Sequence, residues 1–67
     1  MNYRELTKKL RLNGCHEISR RGSGSHRKWF NPATDRATTI PDWGGKDLKV
    51  GTISAILRQL GIDKKIL

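Results

Sequence analysis

Four residues near the C-terminal end, Ile53, Ile56, Leu57 and Leu60, recur at i, i+3, i+4 and i+7, the apolar stripe of a helix that buries one face. Gly61 follows them directly, and glycine closes helices by taking the left-handed conformation. A chain with this stripe must supply a second layer to cover it. It has 67 residues in which to do so, enough for one domain, residues 1–67, with one small core. A domain of about this size buries only roughly 60% of its unfolded surface. The single cysteine, Cys15, excludes an internal disulfide. One Cys and two His make a poor zinc set, so neither a metal nor a cofactor is expected.

The covering layer is legible as local patterns. Asn2-Tyr3-Arg4-Glu5 has the form of a capping box. Tyr3, Leu6, Thr7 and Leu10 follow at helical spacing, and Asn13-Gly14 ends the run, which predicts a helix over Tyr3–Leu12. Residues 15–20 read as a short strand with Ile18 as its clearest core residue, and residues 21–25 as a loop of small residues. His26–Asn31 is a second strand, residues 31–35 a turn around Pro32, and residues 36–40 a third strand rich in Thr and Ile. The close spacing of the last two makes an antiparallel hairpin the simplest connection. Residues 41–45 then break the strand, and Ile62, Ile66 and Leu67 can fold a tail onto the core. The expected fold is α+β: helix, three-stranded antiparallel sheet, helix, with both helices on one face.

Charge narrows the partners. Fourteen Lys and Arg oppose six Asp and Glu, a formal +8 with a pI of 10.4, and nucleic acid is the commonest polyanion to match such a field. An acidic protein partner satisfies it too, as does a merely soluble basic surface. Residues 1–36 hold nine of the cations against three acids, so the positive end coincides with the first helix and the glycine-serine stretch. The first helix's basic face is either solvated or part of a phosphate-tracking surface. No apolar leader follows Met1 and no run is long enough to span a membrane, which predicts a chain with neither signal peptide nor membrane anchor. A lone cysteine fits a reducing compartment.

The densest chemistry lies in Arg20-Arg21-Gly22-Ser23-Gly24-Ser25-His26-Arg27-Lys28-Trp29-Phe30. Glycine-rich loops expose backbone N–H groups that can bind phosphate oxygens. No G-x-x-x-x-G-K-[ST] is present, which argues against nucleotide hydrolysis. Ser23 and Ser25 carry no readable Ser-His-Asp arrangement. Imidazole both takes and gives protons near neutrality, and RNA carries its own nucleophile in the 2′-hydroxyl. His26 is therefore a candidate proton-transfer group, or else a hydrogen-bonding surface residue, as His16 is taken to be. Strand alternation puts His26, Lys28 and Phe30 on one face and Arg27, Trp29 and Asn31 on the other. Trp29 is the natural core filler. Phe30 is then an exposed ring that stacks a base or seats a partner, or the edge of the core.

Taken in order, these pieces resemble the HicA family of bacterial toxin ribonucleases. The resemblance rests on the basic opening helix ending at Gly14, on Gly24-Ser25-His26 and on Ile40-Pro41. It extends through Lys46-Asp47-Leu48-Lys49-Val50-Gly51-Thr52 and Ile56-Leu57-Arg58-Gln59-Leu60-Gly61-Ile62. It implies a fold like the double-stranded RNA-binding domain, cleavage of mRNA in the bacterial cytoplasm by a histidine matching His26, and inhibition by a HicB antitoxin. On that reading Gly24 and Ser25 position the scissile phosphate, Arg20, Arg21, Arg27 and Lys28 hold the RNA backbone, and an acidic antitoxin covers the patch. Two positions depart from the family pattern: Arg27 stands where many members carry an apolar residue or His, and Trp43 where a His is frequent. A non-catalytic RNA-binding module of the double-stranded type and a protein-interaction module with a basic face are the alternative readings.

Overall fold

The computed structural model describes residues 1–18 and 26–67. Its elements are α1 (Tyr3–Leu12), β1 (His16–Glu17), β2 (His26–Asn31), β3 (Arg36–Pro41) and α2 (Val50–Leu60), followed by a 3-10 turn over Lys64–Ile66. The strands form one antiparallel sheet in the order β1-β2-β3. This is the expected α+β architecture, like that of the double-stranded RNA-binding domain. The expected loop at 21–25 and the last two positions of the expected first strand lie outside the described residues.

Three of the four boundaries of α1 and α2 have a visible chemical cause. The Asn2 side chain accepts from the Glu5 amide at 2.9 Å, and Glu5 Oε1 accepts from the Asn2 amide at 3.0 Å, so two otherwise orphaned donors are satisfied. Gly14 takes φ +86° just beyond α1. The Cys15 amide bonds back to the Leu10 carbonyl at 3.0 Å. At the end of α2, Gly61 at φ +70° lets the Ile62 amide reach the Leu57 carbonyl at 2.8 Å, a Schellman closure.

The core lies between the helices and one face of the sheet. Leu6 and Leu10 come from α1, Ile53, Ile56, Leu57 and Leu60 from α2, and Trp29 and Ile40 from the sheet. Ile62 and Ile66 pack at its margin, whereas Leu67 is exposed. One sequence expectation changes here. Cys15 is the buried residue at the first strand, and Ile18 is only half-buried. The register explains it: His16 opposes Phe30, and the Ile18 amide donates to the Lys28 carbonyl at 3.0 Å. Ile18 therefore shares the face of His16 and Lys28, away from the helices, and Cys15 takes the inner side.

Two clasps hold the elements together. The β2–β3 turn grips the end of α2, where the Leu60 carbonyl accepts from Asn31 Nδ2 at 2.8 Å and from Thr34 Oγ1 at 2.7 Å. Asn31 Oδ1 also accepts from the Ala33 amide at 3.1 Å, so one buried side chain shapes the turn and docks it. At the opposite end the Leu48 amide donates to the Met1 carbonyl at 2.8 Å, tying the approach to α2 against the start of α1. Thr38 adds a hydroxyl bond to the Gln59 side-chain carbonyl.

Gly61 is where this packing is least forgiving. A Cβ added there would lie 2.9 Å from Thr34 Cγ2, in a backbone region that costs an L-residue about 1–2 kcal/mol. Gly61→Ala is expected to lower stability by about 2 kcal/mol, roughly 8–16 °C in Tm for a domain of this size. Urea or thermal denaturation against wild type measures it, and an unchanged midpoint would show that the turn does not grip α2 as described.

Candidate functional site

Among the described residues no helix covers the second face of the sheet, and β2 decides what stands on it. Its burial alternates from His26 to Asn31: His26 and Lys28 are exposed, while Trp29 and Asn31 are buried. His26 opposes Pro41, Lys28 opposes Thr39 and Phe30 opposes Ala37. Positions i and i+2 on a strand are about 6.6 Å apart, so an imidazole and an ammonium side chain stand as neighbours on an open surface. Among the described residues Lys28 forms no ion pair, which leaves its charge available to an anion. Phe30 is half-buried, with the His16 ring edge-on at 5.8 Å between centroids and 70° between planes. The phenyl ring is thus partly occupied by a histidine from the neighbouring strand.

The inner face supports this surface from behind. Trp29 is fully buried and donates Nε1–H to the Tyr3 hydroxyl at 3.0 Å, with the two rings edge to face at 6.4 Å. The Arg11 guanidinium lies 4.8 Å from the Trp29 ring centroid, a cation–π contact. Arg27, two residues earlier in β2, points to the same inner side. Its Nη1 lies 3.4 Å from Glu17 Oε2 and its Nε 3.0 Å from Asp42 Oδ2, the latter an ion-pair contact rather than an aligned hydrogen bond. Burial works against the guanidinium charge, but Tyr3, Glu17 and Asp42 outweigh it and hold the proton more firmly than usual. The clamp fixes β2 between β1 and the segment after β3.

The structure therefore brings together His26 and Lys28 of the residues singled out from sequence. It does not bring Arg27 to them, because strand alternation turns that side chain to the helix side. Arg20, Arg21, Gly24 and Ser25 lie outside the described residues. Three features are new. Glu17 and Asp42 engage Arg27, a pairing between separate segments with no local signature. His16 shares the open face, but its Cα is roughly 14 Å from that of His26, counting strand rise and spacing. Trp43 is 44% exposed, two residues past the cross-strand partner of His26.

Among the described residues, a sheet with helices on one face, and a histidine and a lysine side by side on the other, define a small basic α+β protein of the double-stranded RNA-binding-domain type. Comparison with family models gives a match over residues 3–62 to the family described as HicA toxin of bacterial toxin-antitoxin. The chain belongs to the HicA toxin family, the toxins of a class of bacterial toxin–antitoxin pairs. Neither the curated proteins nor the solved structures contain a match to it. No helix among the described residues is long and apolar enough to cross a membrane.

Burial of Tyr3 and Cys15 gives the site's backing a pH dependence. Burial, the largest effect, pushes the Tyr3 hydroxyl above its ordinary value, with the Trp29 hydrogen bond partly opposing it. Burial likewise raises the Cys15 thiol. The folded protein then keeps these protons at pH values where the unfolded chain has lost them. Their contribution is full at neutral pH and falls as pH rises through and beyond the ordinary thiol and phenol range. Denaturation followed from pH 7 into that range should show declining stability, with a shallower decline in Tyr3→Phe. At neutral pH Tyr3→Phe should itself cost about 1–3 kcal/mol, because a buried indole N–H loses its acceptor. A pH-independent wild type would exclude this account.

Proposed function

We propose that the chain is a metal-independent endoribonuclease that cuts mRNA, the toxin partner of a HicB-like acidic antitoxin in the bacterial cytoplasm. The observation that carries the reading is the exposure of His26 beside Lys28 on the uncovered sheet face of a HicA-family chain. The neutral His26 imidazole takes the proton of a 2′-hydroxyl. O2′ then bonds to the adjacent phosphorus, the P–O5′ bond breaks, and the departing O5′ takes a proton from the imidazolium or from water. The products are a 2′,3′-cyclic phosphate and a 5′-hydroxyl. Lys28 faces the charge that grows on the non-bridging oxygens, an electrostatic role that a preorganised cation performs well.

His16 stands apart from His26 on the open face, its ring held edge-on against Phe30. Proton transfer rests on His26. Gly24 and Ser25 would position the phosphate, with Arg20 and Arg21 holding the flanking backbone. Arg27 serves the site chiefly by fixing β2 against Glu17 and Asp42 and adds positive potential from behind the sheet. An acidic antitoxin that lies over the open face would cover His26 and Lys28 together and exclude RNA.

The test is cleavage of single-stranded RNA in excess chelator by wild type and by His26→Ala, with circular dichroism confirming that both are folded. The expected loss is about 10²–10⁴-fold, the usual worth of a positioned acid–base group. Equal cleavage by His26→Ala sinks the catalytic assignment. Salt-sensitive binding without cleavage by wild type would instead favour a non-catalytic RNA-binding module. Lys28→Ala should weaken RNA binding across sequences and reduce the salt slope by about 1; an unchanged slope would remove Lys28 from the RNA contact.

A further inference from the structure

Trp43 is the largest of the exposed apolar side chains among the described residues. It is 44% exposed and takes no part in the core. It borders an open depression of about 490 Å³ whose other walls are Lys46, Asp47 and Lys49. Neither lysine forms an ion pair among the described residues, and the Asp47 carboxylate lies 3.2 Å from the Met1 amino nitrogen. The first turn of α2, which begins just after Lys49, contains no acid. An aromatic face beside two available cations is the composition that binds single-stranded nucleic acid, where bases stack on rings and cations follow the backbone.

Its position relative to His26 gives the depression a direction. Pro41 is the cross-strand partner of His26, and Trp43 lies two residues beyond Pro41. A cross-strand step plus two extended residues limits the His26–Trp43 Cα separation to about 12 Å. That span is within reach of the nucleotides flanking one phosphate. The geometry points to Trp43 as a base-stacking subsite, with Lys46 and Lys49 receiving the neighbouring phosphates, so that the substrate at this site is single-stranded RNA with an unpaired base beside the scissile bond. A base inside a duplex has no free face to offer, whereas loops and single strands do. The subsite rests on the ribonuclease reading above and adds to it a place where an unpaired base of the substrate is held.

The two tryptophans make the test direct. Trp29 is fully buried and hydrogen-bonded, while Trp43 is 44% exposed, so quenching of the solvent-exposed emission reports on Trp43. Wild type, Trp43→Phe and Trp43→Ala are titrated with a 2′-O-methyl RNA oligonucleotide, which lacks the nucleophile, as a single strand and annealed to its complement. Expected are quenching of the exposed component by the single strand, a loss of about 5- to 150-fold in single-strand affinity for Trp43→Ala, and near-wild-type affinity for Trp43→Phe. Duplex binding should be weaker than single-strand binding and indifferent to Trp43→Ala. Single-strand binding with no change in Trp43 emission, or undiminished affinity in Trp43→Ala, overturns the subsite and leaves the ribonuclease reading intact. Failure of wild type to bind either RNA overturns both, and quenching only by an acidic protein partner would make the depression part of a protein interface instead.

Discussion

Trp29 occupies the centre of the sheet's inner face, and the arrangement of everything on the outer face depends on it. With its indole sealed between the sheet and the helices and its N–H held by Tyr3, β2 has only one workable register. A slip of one residue would turn Trp29 to solvent and bury His26 and Lys28 without partners, because side chains alternate with a period of two. The neighbouring inward residues obey the same demand. Arg27 is met by Glu17 and Asp42, and Asn31 by the Leu60 carbonyl. A buried polar group without a partner is costly, and β2 carries three inward polar groups, each met by a contact from another segment.

This solution divides the small molecule into two sides with different tasks. One side holds almost all the apolar material: both helix stripes, Cys15, Trp29 and Ile40. The other contributes little to the core and is free to carry charge and chemistry. A domain of this size has little stability in reserve, so the joints between layers matter as much as the core itself. The Leu60 carbonyl, accepting from two side chains of the hairpin turn, fixes the sheet to α2. The Met1–Leu48 bond fixes the opposite end. β2 itself is held by Asn31 at one end and by Arg27 toward the other, so His26 and Lys28 stand on a fixed strand rather than on a loop, as the proposed proton transfer requires.

The charge of the chain acquires a spatial meaning from the same division. Arg27 is committed to two carboxylates on the inner side, so its contribution to an anion on the open face is a diffuse potential. Lys28, Lys46 and Lys49 keep their charges at the surface. His26 stands beside Lys28 on the sheet, and Trp43 beside Lys46 and Lys49 at the depression before α2. That composition suits a flexible polyanion with unpaired bases, and an acidic protein covering it would exploit the same field.

The sequence by itself determined the elements and the face on which each residue of β2 falls, because those follow from short-range periodicity and capping. Asn2 and Glu5 close the start of α1, Ile53 to Leu60 draw the stripe of α2, and the alternation from His26 to Asn31 separates the exposed histidine from the buried tryptophan. Family membership was legible in the same way, from short motifs kept in order along the chain. Only the tertiary structure decided the pairings. Cys15 rather than Ile18 enters the core because the β1–β2 register places Ile18 opposite Lys28. Arg27 finds Glu17 ten residues before it and Asp42 fifteen after it, and Asn31 finds Leu60 across the whole of the third strand and second helix. Such contacts join segments whose separation carries no repeating pattern, so no local period announces them. They become determined once the layers have closed and each buried polar group must take whichever partner the packing has brought within reach.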